Sequence, residues 1–232
     1  MENFKPYLNS CTVALHPCRC FDKLTEDQMK VITEHSVVIR FRKREMICKQ
    51  GGIASSIMYM EKGLARISLD QGGNTLVLKV IPEGNFIGLG SVAEGQGTYH
   101  YSAMAYVDCE VRQIEVSAFR SLLLENPAFA KEMIDILSSN NAQIYGRFFC
   151  LTHKQAYGRL ADILLCLSDR IFKNTQFELP LNRRDLADLS GMSPETVIRM
   201  LKKFHDDGLI LITRKNLKIL DYQRLLRISE TG

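Results

Sequence analysis

Asn182-Arg183-Arg184-Asp185-Leu186-Ala187-Asp188-Leu189-Ser190-Gly191-Met192-Ser193-Pro194-Glu195-Thr196-Val197-Ile198-Arg199-Met200-Leu201 reads as two short amphipathic helices hinged at Gly191. Leu186, Leu189, Val197 and Leu201 can face inward at helical spacing, and Gly191 supplies the permissive turn between them. Ser193 followed by Pro194 is an N-cap with proline at the first helical position. Glu195, Thr196, Ile198, Arg199, Lys202 and Lys203 are left facing outward. Glu195 and Arg199, four residues apart, project from one face near the helix start, where recognition helices touch base edges. A guanidinium donates two hydrogen bonds to guanine O6 and N7, and a carboxylate accepts from cytosine N4, so the pair suits a G·C step. The same spacing also suits an ordinary surface ion pair. The hinge, the cap and the neighbouring lysines favour a DNA reader, with Arg183 and Ser193 added to its DNA-facing set.

Downstream, residues 208–212 and 217–220 flank Thr213-Arg214-Lys215-Asn216 and read as a β-hairpin, a wing from which Lys215 can meet phosphate. Upstream, Leu160, Ile163, Leu164 and Leu167 mark another amphipathic helix. Residues 153–232 hold 14 Lys and Arg against 10 Asp and Glu, so the whole formal charge of +4 lies in this part, where phosphates would be met.

At 232 residues and 46% hydrophobic content the chain can bury a sizeable core, and two domains are expected. The first twenty residues lack a basic segment followed by a long apolar one, and no stretch approaches the roughly 20 apolar residues of a membrane helix, so a cytoplasmic location is expected. Seven cysteines, an odd number, argue against a secreted disulfide framework and for free thiols, metal ligands or redox sensors.

From Val37 to Val116 short alternating stretches separated by Gly51-Gly52, Gly63, Gly72-Gly73 and Pro82-Glu83-Gly84 predict a compact β-roll or barrel, preceded by a helix capped at Thr25. After Asn126-Pro127 a long helix is predicted over roughly Ala128 to Leu151. Ala130, Met133, Leu137, Asn140, Ile144, Arg147 and Leu151 recur at alternating three- and four-residue spacing, the seam of two parallel helices. Met133, Leu137, Asn140, Ile144 and Leu151 are its dimerisation candidates, with Asn140 fixing register and Arg147 marking where the helices diverge. The competing reading is a helix buried against its own roll. The expected division is a Cys-containing arm (1–24), a β-roll sensor (25–127), a dimerisation helix (128–152) and a DNA-binding domain (153–232).

Pro82-Glu83-Gly84-Asn85-Phe86-Ile87-Gly88 in the roll, and residues 182–187 with 192–199 in the reader, resemble the family of the cyclic-AMP receptor protein and the fumarate-and-nitrate-reduction regulator, CRP/FNR. The resemblance implies an α+β fold: an N-terminal double-stranded β-helix of the cyclic-nucleotide-binding type, a long dimerisation helix and a C-terminal winged helix-turn-helix. It also implies a homodimeric transcription regulator, not an enzyme, that binds two-fold-related double-stranded DNA and contacts RNA polymerase. On that mapping Glu195 and Arg199 occupy the base-reading positions.

The effector is a separate question. Where cyclic-nucleotide members carry Gly-Glu and Arg-Ser, this chain has Gly88-Leu89 and Tyr101-Ser102, so a buried cyclic phosphate would lack its counter-charge; this argues against cyclic AMP. Cys11, Cys18 and Cys20 in the arm with Cys109 resemble the ligands of a [4Fe–4S] cluster, although C-x6-C-x-C departs from the C-x2-C-x5-C arm of the oxygen-sensing members. Metal-free redox thiols are the alternative, and a haem would need His100 or a cysteine as axial ligand. A second function class, a thiol-based redox enzyme or protein-binding module that does not read DNA, lacks a nucleophile and base at recognisable spacing, a phosphate-cradling loop and a C-x-x-C motif.

Overall fold

The computed structural model describes Val13, residues 18–95 and residues 97–232. The described residues form two compact units, one of residues 18–75 and 79–141, the other of residues 142–232 with Val13 and 76–78.

In the first unit, α1 (Glu26–Glu34) opens with a capping box: the Thr25 hydroxyl accepts the Gln28 N–H at 3.3 Å and the Gln28 side chain accepts the Thr25 N–H at 3.2 Å. Eight strands follow: β1 (Ser36–Phe41), β2 (Met46–Cys48), β3 (Ser56–Lys62), β4 (Leu64–Gln71), β5 (Asn74–Pro82), β6 (Phe86–Ile87), β7 (Ser102–Ala105) and β8 (Cys109–Glu115). They make two four-stranded sheets, β1-β8-β3-β6 and β2-β7-β4-β5, so the chain passes repeatedly from one sheet to the other, as a β-roll requires. Gly63, at φ +105°, permits the tight β3–β4 turn; a Cβ there would sit 2.6 Å from the Asp108 carbonyl and 2.7 Å from Cys109 Sγ.

Two helices close this unit: α2 (Val116–Glu125) and the first part of α3 (Pro127–His153). α2 was not expected from the sequence, where Val116 reads as the end of a strand. Its Ala118, Phe119 and Leu122 are buried and nothing caps its start by a side chain. Phe119, Phe129 and Met133 join Cys20, Ile32, Ile57, Phe86, Leu89, Ile114 and Leu122 in one apolar core. Five rings run through it, Phe21 to Tyr59 to Phe86 to Phe119 to Phe129, with successive centroids 4.8, 5.1, 5.7 and 5.4 Å apart and steep interplanar angles.

The seam residues divide between this core and the open surface of α3. Met133 is 3% exposed within it, and the half-buried Leu137 packs against it. Asn140 accepts a hydrogen bond from Lys79 Nζ, Arg147 is buried rather than splayed toward solvent, and Ala130 and Leu151 are half-buried. Of the five seam candidates only Ile144 is exposed. The outward stripe lies one residue further along: Ile134 (64% exposed), Ser138, Asn141, Tyr145 (72%), Phe148 (68%) and Thr152, again at spacings of four and three. One residue is about 100° of helix, so this stripe lies on a neighbouring face. The competing reading, a helix buried against its own roll, therefore describes Met133 and Leu137.

In the second unit α4 (Ala156–Cys166) runs into a π-helical turn (Leu167–Phe172). There follow β9 (Gln176–Glu178), α5 (Arg183–Ser190), α6 (Pro194–Asp206), β10 (Ile210–Thr213), β11 (Asn216–Ile219) and α7 (Tyr222–Thr231). β10, β11 and β9 form a three-stranded sheet in that order, and the β10–β11 hairpin is the wing. α7 was also unexpected; Asp221 caps it by accepting the Arg224 N–H at 2.9 Å, and Leu225 buries it. Among the described residues no helix is long and apolar enough to cross a membrane.

Candidate nucleic-acid interface

Local chemistry fixes both helices of the reader. Asn182 caps α5 by accepting the Asp185 N–H at 2.8 Å, and the Asp185 carboxylate accepts the Asn182 N–H at 2.9 Å. Gly191 ends α5 in the left-handed region, φ +62° and ψ 43°. The Ser193 hydroxyl then starts α6 by accepting the Thr196 N–H at 3.2 Å, with Pro194 in the first turn. Gly191→Ala should lower the unfolding free energy by about 1–2 kcal/mol, the cost of a left-handed L-residue. A urea midpoint equal to that of the unaltered chain would refute this.

α6 separates its faces cleanly. Val197, Met200, Leu201 and Phe204 are buried, whereas Glu195, Ile198, Arg199 and Lys202 are exposed. The Glu195 carboxyl is held below its usual range by its own backbone N–H and then by Ser193, so it is an acceptor at neutral pH. Among the described residues no ion pair joins it to Arg199, four residues on. Acid and guanidinium thus stand side by side on the open face. Thr196 is half-buried, its hydroxyl 3.1 Å from that of Ser193. Lys203 lies with Nζ 5.0 Å above the Tyr157 ring, a cation–π contact the sequence did not disclose. Arg183 is half-buried at the start of α5, and burial lowers its guanidinium pKa. Lys215 is exposed at the tip of the wing beside Arg214, whose φ is +56°.

Three of the four cysteines that the resemblance groups together lie among the described residues. Cys11 lies outside the described residues. Cys18 and Cys20 form a disulfide with each other, and Cys166 on α4 is also disulfide-bonded. Cys109 is buried beneath Gly63, with Sγ donating to the Val107 and Leu64 carbonyls at 3.1 and 3.5 Å; burial raises its pKa. Among the described residues no three of His, Cys, Asp and Glu converge on a possible metal. His100, the histidine candidate for an axial haem ligand, is exposed and lies against Gly90. Cys48 and Cys150 are buried free thiols, each pushed up to about 11 chiefly by burial.

Residues 38–126 match the model of the cyclic nucleotide-binding domain, and residues 158–228 match that of the Crp-like helix-turn-helix domain. The chain belongs to the CRP/FNR family. It is 28% identical over 198 residues to the cAMP-activated global transcriptional regulator CRP of Escherichia coli O6:H1, covering 80% of this chain and 90% of that one. To the transcriptional activator protein FnrA of Stutzerimonas stutzeri it is 26% identical over 185 residues, covering 78% and 75%. The solved structure of FixK2 from Bradyrhizobium japonicum superposes with a TM-score of 0.77 at 22% identity, covering 85% of this chain and 98% of that one, a likeness of fold. This CRP/FNR protein is accordingly a DNA-binding transcription regulator and not an enzyme.

Within the roll of this family member, Gly88 is left-handed at φ +90° and donates its N–H to the Tyr101 hydroxyl at 2.7 Å. Tyr99 donates its own hydroxyl to the Ser56 carbonyl at 2.8 Å. Burial raises the pKa of both phenols, so they remain neutral hydrogen-bonding groups.

Proposed function

We propose that the protein acts as a homodimer on two-fold-related DNA half-sites, with α6 of each copy in a major groove and the roll responding to a redox, gas or small-molecule signal other than cyclic AMP. The observation that carries the reading is the open face of α6, where Glu195 and Arg199 stand unpaired with each other above a fully buried apolar face. Arg199 addresses guanine and Glu195 addresses cytosine, while Ser193, Thr196 and Ile198 border them. Lys202, Lys203, Arg183 and the wing residue Lys215 meet phosphates. The exposed stripe from Ile134 to Thr152 supports pairing of two long helices, with Asn141 as the polar position that sets register. Tyr101 stands where the family resemblance puts the cation for a cyclic phosphate and already engages the Gly88 amide, which supports a different effector. Signal acts by population shift: the effector favours the dimer arrangement whose two readers match the half-site separation, and the bound regulator then contacts RNA polymerase in the cytoplasm.

Salt titration of duplex binding tests the reading. The logarithm of affinity should fall linearly with the logarithm of salt, and Lys202→Ala should reduce that slope by about 0.9 per copy, the loss of one phosphate contact. A slope equal to that of the unaltered chain removes the phosphate role of Lys202. A protein with neither salt dependence nor preference among duplexes belongs instead to the competing class of thiol-redox or protein-binding modules.

A further inference from the structure

The last carbonyls of a helix have no partner within it and carry the negative end of its dipole. In α5 those at Leu189 and Ser190 are taken by two guanidinium groups from other helices. Arg147, on α3 and 3% exposed, donates from Nη2 to the Leu189 carbonyl. Arg159, on α4, donates from Nε to the Ser190 carbonyl at 2.8 Å and from Nη1 to the Lys154 carbonyl at 2.8 Å. One helical turn beyond Arg147, Leu151 places Cδ2 3.1 Å from where a Cβ on Gly191 would stand. The hinge of the reader is thus held on one side by the C-terminal part of α3 and on another by α4.

Arg147 is a costly residue for this place. Its Nε and Nη1 are buried without a hydrogen-bond partner among the described residues, and burial lowers its pKa. An unbranched apolar side chain would fill the same volume without desolvating a charge. What the guanidinium supplies, and methionine does not, are directed bonds from Nη2 to the Leu189 carbonyl at the end of α5 and to the Val77 carbonyl at 3.2 Å.

We infer that Arg147, assisted by Arg159, is a positioning residue for DNA reading: it fixes the direction in which α5 ends, and so the angle at which α6 leaves Gly191 and presents Glu195 and Arg199. The inference rests on the reading of α6 as the DNA-contacting helix and adds the end of α3 to the apparatus that determines specificity.

The test uses the full chain, with Arg147→Met, Arg147→Lys and Arg159→Gln. Each is measured by urea unfolding and by binding, over a salt series, to a duplex selected by the unaltered protein from a randomised library and to a scrambled duplex. Arg147→Met should fold with undiminished stability and keep its salt slope on the scrambled duplex. Its preference for the selected duplex should fall about tenfold or more, the equivalent of at least one mismatched base pair. The loss should spread over the whole half-site, whereas Arg199→Ala loses preference at one base pair. Arg147→Lys, which keeps charge but not reach, should fall between. An unchanged preference in Arg147→Met overturns the inference, as does a loss that merely follows a loss of folding. Should Arg147→Met fail to fold, Arg147→Lys and Arg159→Gln decide by the same ratio. An unaltered protein that cannot distinguish the two duplexes refutes the DNA-reading assignment itself, whereas failure confined to the variants refutes only this inference.

Discussion

Phe148→Glu is expected to yield a folded chain that sediments as a monomer at concentrations where the proposed dimer of the unaltered protein forms. Ile134, Tyr145 and Phe148 are between 64 and 72% exposed, although each is large and apolar or aromatic. In a symmetric dimer every such residue is buried twice, because the interface pairs one surface with its own copy. Burying one phenylalanine contributes about 1.5–3 kcal/mol, so losing two removes roughly 3–6 kcal/mol, or on the order of a hundredfold to ten-thousandfold in dimer affinity. Two opposed carboxylates add repulsion in the same direction. Sedimentation velocity reads the result and circular dichroism reports whether the fold persists. Leu137→Ala is the control: Leu137 packs on the roll core, so its loss should lower stability and leave the oligomeric state alone. A Phe148→Glu protein that stays dimeric would show that the stripe does not join two copies.

Arg199→Ala should cost about 1–3 kcal/mol at one base pair of each half-site, and preference at that position should relax toward equality among the four bases. The magnitude follows from a two-pronged hydrogen bond to guanine, which no other base edge matches. Glu195 sharpens the test. Its acid is ionised at neutral pH and is left beside the base pair when the arginine is gone, so cytosine readout on the opposite strand should survive in part. Competition binding with single-position substituted duplexes measures both effects. Affinity that falls equally on every duplex would place Arg199 on phosphate.

The reader and most of the roll were legible in the sequence because their signals are local. Gly191, Ser193 and Pro194 each specify a cap or a turn within a few residues, and β3 to β5 are bounded by glycines that demand turns. α2 was missed because Val116 continues the strand pattern and its N-cap residue, Glu115, makes no side-chain cap bond. α7, ten residues at the chain end, declares itself mainly through the Asp221 cap. Which face of α3 meets the roll is also tertiary: Met133 and Leu137 lie at the roll core, whereas Ile134, Tyr145 and Phe148 are exposed, and spacing alone does not separate the two sets. Cysteine pairing is likewise tertiary. Cys109 lies under Gly63, and Cys20 lies in the core beside Ile32 and Phe86, neighbours far away in the chain. The clasp of Arg147 on Leu189 spans 42 positions, and no local pattern announces it.

The column of five rings, from Phe21 to Phe129, bears on how this regulator can change over generations. Ring partners in contact constrain one another's orientation, so Phe86→Leu would unsettle both Tyr59 and Phe119 at once. Drift along the column must therefore proceed in matched pairs, and each ring's tolerance depends on its neighbours' history.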